Sequence, residues 1–155
     1  MPIIVERVAA PTAAAAALIA ELDAVLGAVY EPEQRHGLSL DQVFELHVRF
    51  FVAFRDGAAV GCGAVALFDG YAEVKRMYTR AAARGQGVGK AILARLEAEA
   101  RAAGKPLLQL ETGTLQNAAI GLYESCSFRR CAAFGNYAAL PPHRIAASIF
   151  YEKRL

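Results

Sequence analysis

The sequence has few cysteines, and their pattern excludes two common ways of stabilising a small protein. Cys62, Cys126 and Cys131 make an odd total, and they do not have the spacing of metal ligands. We therefore expect reduced, mostly buried thiols, with neither a disulfide framework nor a metal site.

Long runs of one charge and long apolar runs are also missing. The formal net charge is +2 and no Lys/Arg stripe is present, so nothing argues for nucleic acid as a partner. The alanine-rich stretch 13–20 is cut off by Glu21 and Asp23, which makes it too short for a membrane span. Because it also lacks a basic lead, it does not resemble a secretory signal. We expect a cytoplasmic protein without membrane attachment.

What the sequence does contain is enough apolar material for one core. The 155 residues fit a single domain over 1–155, and they are 55% hydrophobic and 21% charged. That balance excludes a disordered chain.

Two Asp-Gly pairs organise the middle of the chain. Apolar runs at 50–55, 58–68 and 71–79 are separated by Asp56-Gly57 and Asp69-Gly70. Asp and Gly both tolerate positive φ, so this pattern predicts two hairpins and a three-stranded antiparallel meander.

The flanking segments predict alternating helices and strands. We expect a strand at 3–8, a helix from about 12 to 29, a loop at 30–38 and a short helix at 39–45. After a loop at 81–86, a four-residue apolar period predicts a helix from 87 that stops at Gly104. A strand at 107–111, a helix at 116–125 and late strands at 128–131 and 145–153 complete the chain. A strand, a helix and a strand in succession imply a parallel crossover.

The glycine-rich segment between the meander and its following helix is the clearest chemical signal. At a helix start, backbone N–H groups and the helix dipole favour phosphate, although an ordinary glycine-rich turn is an alternative. A P-loop is excluded because Arg84 and Ala91 stand where it needs Gly and Ser or Thr. A dinucleotide fingerprint also fails, because no third glycine follows at the required position. The remaining pattern is Arg84-x-x-Gly87-x-Gly89.

This pattern resembles the phosphate-binding loop of the GNAT N-acetyltransferases. Segments 71–79, 110–113, 117–128 and 150–155 are also similar to parts of that family, so the resemblance covers roughly residue 50 to the C-terminus. It implies an α/β (α+β) GNAT fold, whose mixed, mostly antiparallel sheet is flanked by helices and splayed between the fourth and fifth strands. One departure is Ser127, where the family usually has a glycine that caps the helix in a left-handed conformation.

The resemblance implies an enzyme that moves acetyl from acetyl-CoA, as co-substrate, to a primary amine in a ternary complex. The acceptor would be a small molecule or amino-acid-like compound, no metal takes part, and a homodimer is an allowed assembly. A non-enzymatic acyl-CoA-binding domain of the same fold is the alternative. The implied cofactor-binding residues are Met77, Tyr78, Thr79, Arg84, Gly85, Gln86, Gly87, Val88, Gly89, Lys90, Asn117 and Tyr123.

Catalytic roles follow from the same resemblance. Tyr123 would act as general acid toward the leaving thiolate, and four-residue spacing places it on one helix face with Ala119. Glu73 is the candidate base for the incoming ammonium, with Glu111 as a second candidate and water as a third route. His36 and His143 have a suitable pKa range, but their loop positions favour surface residues. The acceptor pocket would draw on Glu33, Arg35, His36 and Tyr137.

Overall fold

The structure, a computed structural model that describes residues 2–155, is built on one mixed seven-stranded sheet. Its strand order is β1-β2-β3-β4-β5-β7-β6, and β4 and β5 are its parallel pair. The strands are β1 (Ile4–Val8), β2 (Val48–Arg55), β3 (Ala58–Phe68), β4 (Tyr71–Thr79), β5 (Leu107–Gly113), β6 (Arg129–Arg130) and β7 (Ser148–Arg154). The helices are α1 (Ala13–Gly27), α2 (Val88–Ala102), α3 (Asn117–Ser125) and α4 (Pro142–Ile145).

The meander formed by β2, β3 and β4 confirms the prediction from the Asp-Gly pairs. Arg55 pairs with Ala58 and Phe68 pairs with Tyr71, so each turn has two residues. In the first turn Asp56 and Gly57 both have positive φ, whereas in the second Gly70 alone does so among those two residues. Both turns return the chain directly onto the preceding strand.

The predicted splay lies between β4 and β5. Their parallel register contains three residue pairs and ends at Val74 opposite Leu110. Beyond these pairs β4 continues to Thr79 and β5 continues to Gly113, but the carboxyl ends of the two strands are not paired with each other. Helix α2 makes the crossover between the two strands, as the sequence of elements predicts.

The sheet separates two apolar layers. Helix α1 packs on one face, where Leu18 and Ile19 join Phe50, Val52 and other β2 and β3 residues. Helices α2 and α3 cover the other face through a larger cluster that includes Ile92, Leu96 and Tyr123. Because strand side chains alternate between faces, neighbouring residues of one strand enter different layers.

Several predicted boundaries move by a few residues. Helix α1 ends at Gly27, and the predicted short helix at 39–45 is a single 3-10 turn at Gln42–Phe44. The last strand begins at Ser148, because Pro141 and Pro142 start the short helix α4 immediately before it. Pro is favourable at the first helical position, which explains this early helix.

Ser127 adopts the left-handed conformation that the resemblance implies for its position. Its φ is 73°, and it directly follows the C-cap of α3. A side chain in this region costs about 1–2 kcal/mol relative to right-handed backbone. Serine therefore makes the turn that a glycine would make without this strain.

None of the helices within residues 2–155 combines the length and the hydropathy needed to cross a membrane.

Candidate active site

The candidate active site is a cavity that passes through the splay of the sheet. Its walls come from both faces: Leu22 and Leu26 of α1 on one side, and Ala119 and Tyr123 of α3 on the other. The two helices pack on opposite layers, so they reach a common cavity only where β4 and β5 separate. The cavity therefore occupies the gap that opens where the pairing of β4 with β5 ends.

A bulge in β4 shapes one wall of this cavity. Cys62 pairs with Tyr78 and Ala64 pairs with Lys75, so Arg76 and Met77 together lie opposite a single β3 residue. Arg76 has a φ of 55°, which is strained for a residue with a side chain. Bulges interrupt the hydrogen-bond ladder and re-aim side chains, and here both bulge residues line the cavity.

The glycine-rich loop leads from the end of β4 into α2. Gly85 and Gly87 have φ values of 75° and 85°, and Gly87 is the N-cap of α2. A methyl group built on either glycine would meet nothing within 4 Å, so the loop is open toward solvent. Its free backbone N–H groups at a helix start suit a phosphate group, and the open cradle fits a pyrophosphate.

The other residues of this loop differ in exposure. Arg84, Gln86 and Lys90 are exposed, whereas Val88 is buried in the α2 layer. The Arg84 Nε donates to the Thr79 carbonyl at 3.4 Å, which ties the loop to the end of β4. Gly89 lies so close to Leu122 of α3 that an added methyl group would stand 2.9 Å from it. The loop therefore fixes the approach of α2 to α3.

Tyr123 lies in the cavity wall on α3. Its side chain is 4% exposed, and it makes no hydrogen bond to the rest of residues 2–155 through its hydroxyl. Burial, followed by the charge of Glu111, raises the pKa of Tyr123 above its ordinary value. The hydroxyl therefore stays protonated across the neutral pH range and can donate to a ligand. Ala119 lines the same cavity, as the four-residue spacing predicts.

Glu111 is the carboxylate that lines the cavity. It lies on β5 just after the last pair with β4, and its Oε2 accepts a hydrogen bond from Ser148 Oγ at 2.7 Å. Burial raises the pKa of the Glu111 carboxyl, and the Ser148 hydrogen bond and the charges of His36 and Lys75 oppose the shift. A carboxyl with a raised pKa is a better proton acceptor than an ordinary one.

Glu73 does not line the cavity. It lies, on the same side of the sheet as Glu111, in a buried network. Its Oε2 accepts hydrogen bonds from the Tyr137 hydroxyl at 2.6 Å and from Lys75 Nζ at 3.2 Å. Lys75 Nζ also donates to the His36 carbonyl at 2.9 Å. The side chains of Glu73 and Lys75 are only 7% and 10% exposed, so each charge depends on the other.

His36 lines the cavity, although its loop position in the sequence favours a surface residue. Its Nε2 lies 2.8 Å from the Arg144 carbonyl oxygen. A carbonyl can only accept, so Nε2 carries the proton and, in the neutral ring, Nδ1 does not. His36 therefore offers a free acceptor on its second nitrogen. His143 lies in α4 and is exposed.

Two arginines that line the cavity each contain a buried hydrogen-bond donor without a partner among the described residues. The Nε atoms of Arg35 and Arg76 are buried and have no partner within residues 2–155. Leaving such a donor unpaired costs about 1–3 kcal/mol. Arg76 is bonded to Asp23 and to the Ile19 carbonyl through Nη2. Arg35 has no carboxylate partner among the described residues.

The remaining predicted residues lie around this centre without all reaching it. Tyr78 and Thr79 follow Met77 along β4, and the Tyr78 hydroxyl donates to Glu21 at 3.2 Å. Asn117 begins α3 and is exposed. Of the predicted acceptor pocket, Arg35 and His36 line the cavity, whereas Tyr137 packs in the buried network and Glu33 is exposed. Arg76 is absent from the sequence-based prediction, because nothing in strand alternation marks a bulge.

Known proteins are similar to this chain in sequence and in fold. A family model described as acetyltransferase (GNAT) family matches residues 17–128. The chain is 45% identical over 140 residues to the IAA acetyltransferase of Azospirillum brasilense, covering 89% of this chain and 88% of that one. A candidate acyl-CoA N-acyltransferase from Klebsiella pneumoniae superposes with a TM-score of 0.81 at 35% identity, covering 99% of this chain and 97% of that chain.

A more distant structure shows how far the fold is retained. The PaiA N-acetyltransferase of Thermoplasma acidophilum, solved in complex with coenzyme A, is 16% identical, with a TM-score of 0.72 and 100% of each chain covered. That similarity concerns the fold, whereas the family match and the 45% identical relative concern the sequence itself. The chain therefore belongs to the GNAT acetyltransferase family.

Proposed function

We propose that this enzyme transfers an acetyl group from acetyl-CoA to the primary amine of a small molecule, by direct attack in a ternary complex. The observation that carries the proposal is the cavity in the splay, which Tyr123 and Glu111 both line together with the β4 bulge. The name of the Azospirillum relative, IAA acetyltransferase, supports a small-molecule acceptor. A single domain, a cytoplasmic location and a homodimer remain predictions from the sequence.

The chain has suitable groups for each part of acetyl-CoA. Backbone N–H groups of the open loop 84–90 would hold the pyrophosphate at the start of α2. The end of β4, at Met77, Tyr78 and Thr79, is not paired with β5 and would hold the amide-rich pantetheine arm as a strand partner on that side. A backbone N–H near the bulge would donate to the thioester oxygen as it gains charge. Asn117 would border the same ligand from the first turn of α3.

The chemical step needs one proton acceptor and one proton donor. The amine nitrogen bonds to the acetyl carbon, the carbon–sulfur bond breaks, and the sulfur leaves with the electron pair. Tyr123 would donate its phenolic proton to that sulfur, and the second proton lost by the newly acylated nitrogen would return to the tyrosinate, directly or through water. The raised pKa keeps the proton on Tyr123 until negative charge develops nearby.

We propose Glu111 as the group that takes the proton from the incoming ammonium. The sequence resemblance points to Glu73 for this role, but Glu73 already accepts from Tyr137 and Lys75 and does not line the cavity. Glu111 lines the cavity and has a pKa raised by burial, which makes it a better proton acceptor than an ordinary carboxylate. Glu73 would instead hold Lys75 in place.

The experiment is a broad amine screen with acetyl-CoA that detects the free thiol of coenzyme A. With an accepted amine, Tyr123→Phe should lower kcat at least about tenfold while acetyl-CoA affinity stays unchanged, because general acids contribute about 10²–10⁴-fold. Tyr71→Phe is the matched control, since its hydroxyl lies outside the cavity lining and makes no hydrogen bond within the described residues. An unchanged kcat in Tyr123→Phe, with chemistry rate-limiting, would show that Tyr123 only packs.

A further inference from the structure

The cations around the cavity differ in whether their charge is matched. Lys75 is paired with Glu73, and Arg76 is paired with Asp23. Arg35 also lines the cavity, but within residues 2–155 it has neither a salt bridge nor a side-chain hydrogen bond. Its Nε is one of two buried side-chain donors without a hydrogen-bond partner among residues 2–155. Arg35 is thus the cation whose anionic partner is missing from the protein itself.

A second observation concerns Arg76, which lines the same cavity from β4. The Arg76 side chain is 3% exposed, and its Nε is the other buried donor without a partner. Gly37 also lines the cavity, and any side chain there would overlap the Arg76 guanidinium. The absence of a side chain at Gly37 therefore leaves room for the Arg76 guanidinium in the cavity wall.

We infer that Arg35, supported by Arg76, binds a carboxylate of the acceptor, so that the acceptor is an amino carboxylate. This inference rests on the proposed function and names its substrate class. A guanidinium presents donors in a planar fork that matches the two oxygens of a carboxylate. Two of the cavity charges are cancelled by their neighbours, which leaves Glu111 negative and Arg35 positive. A zwitterion complements that pair, with its ammonium toward Glu111 and its carboxylate toward Arg35.

The phosphate groups of the co-substrate are a poorer explanation for the unmatched charge. The cradle suited to a pyrophosphate is loop 84–90, and no residue of that loop lines this cavity. Arg35 comes instead from the segment between α1 and β2, and it packs against Gly27 at the end of α1. The two anion sites are therefore built from different parts of the chain.

The test compares amino acids with their primary amides, which keep the amine and remove the negative charge. Probes should include amino carboxylates with increasing separation between the amine and the carboxylate. The amine of an amino acid and the amine of its amide have different pKa values. The measured quantity is therefore the ratio of kcat/KM for the acid to kcat/KM for the amide, compared between wild type and variants. The difference in amine pKa is the same for every enzyme and cancels in this comparison. Because a hydrogen bond to a charged group is strong, Arg35→Gln should lower this ratio about 10- to 100-fold.

Two further variants separate recognition from general damage. Arg35→Lys keeps the charge without the fork and should recover part of the ratio. Arg129→Gln removes an exposed arginine on β6 that lies outside the cavity, and it should leave the ratio unchanged. Acetyl-CoA affinity, measured by calorimetry, should be equal in wild type and Arg35→Gln.

The outcomes separate this inference from the proposed function. Acetylation of amines without a carboxylate, together with no acetylation of any amino carboxylate, overturns the inference and leaves the function intact. An equal loss on acids and amides in Arg35→Gln also overturns it, since Arg35 would then have a purely structural role. A loss of acetyl-CoA affinity would assign Arg35 to the co-substrate instead. If acetyl-CoA yields no free thiol with any amine, the proposed function fails first.

Discussion

At the scale of single residues, Glu73 and Glu111 show how tertiary partners decide chemistry. Both extend from the side of the sheet opposite the α2 layer, since their neighbours Val74 and Leu110 enter that layer. Strand alternation alone therefore makes them equivalent. The difference comes from Tyr137, which lies 64 residues from Glu73 in sequence. Its hydroxyl donates a hydrogen bond to Glu73 Oε2 at 2.6 Å. Glu111 accepts a hydrogen bond only from Ser148 among the described side chains, and it still lines the cavity.

Substitution by glutamine should separate the two carboxylates. Glu111→Gln removes the proposed base, so kcat/KM should fall about 10²–10⁴-fold near neutral pH and recover partly at high pH, where free amine is abundant. Glu73→Gln weakens a buried ion pair, and losing one partner of such a pair costs about 3–5 kcal/mol of stability. Its main effect should therefore appear in thermal unfolding. The reverse result, with activity lost in a stable Glu73→Gln, would restore Glu73 as the base.

Glu111 should also make stability depend on pH in a definite direction. Its pKa is raised by burial above the ordinary value of 4.5, so the folded state binds its proton more tightly than the unfolded state. This stabilisation is complete below the unfolded pKa and is lost as pH rises through the folded pKa. Glu111→Gln removes the dependence. The melting temperature of Glu111→Gln should therefore rise relative to that of wild type as pH increases from about 4 to about 8. A constant difference across that range would contradict the pKa shift.

At the scale of elements, the loop and the bulge at the end of β4 were not equally visible in the sequence. Gly85, Gly87 and the change from a strand period to a helical period mark the loop directly. The bulge at Arg76 leaves no such mark, because one inserted residue only shifts which face later residues enter. The resemblance pointed to Arg35 and His36 as acceptor-pocket residues, but no periodicity predicts the path of the segment between α1 and β2, because these residues reach the cavity through long-range packing.

The meander and the splay could be predicted for a similar physical reason. Asp56-Gly57 fixes a two-residue turn locally, so the first β2–β3 pairs, Arg55 with Ala58 and Phe54 with Ala59, follow from neighbouring residues. Beyond these pairs a bulge at Val60 shifts the register. The crossover between β4 and β5 follows from the order strand, helix, strand. The last strand was harder to delimit, because Pro142 starts a helical turn that hydrophobicity does not reveal. Local chemistry thus predicts turns, whereas partners distant in sequence determine the site.

The loop gives a prediction that uses two glycines in matching conformations. Gly87→Glu places a bulky negative side chain at the proposed pyrophosphate cradle, so calorimetry should show acetyl-CoA binding lost. Gly70→Glu is the control, because its φ of 81° resembles the 85° of Gly87, and a methyl group would meet nothing within 4 Å at either site. Both variants therefore carry the same backbone strain and charge. Equal acetyl-CoA affinity in the two folded variants would contradict phosphate binding at this loop.

At the scale of the whole molecule, the sheet joins two halves through a narrow seam. Strands β1 to β4 form one antiparallel half, strands β5, β7 and β6 form the other, and three parallel residue pairs connect them. The apolar cluster under α2 and α3 crosses the seam, since it contains Val65 and Val74 from one half and Leu108 and Tyr151 from the other. Shared burial of this kind couples the halves into one cooperative unit.

The expected result is a single unfolding transition that acetyl-CoA shifts as a whole. Circular dichroism and tyrosine fluorescence should give coincident curves in urea, because neither half keeps its core without the other. A ligand bound in the splay would contact both halves, and at a free concentration about 100 times its Kd it stabilises the folded state by about 2.7 kcal/mol. For a chain of this length that corresponds to a rise in Tm of about 5–10 °C. Two separate transitions, or a ligand shift confined to one of them, would show that the seam divides the chain into independently folding parts and would contradict the prediction of a single domain.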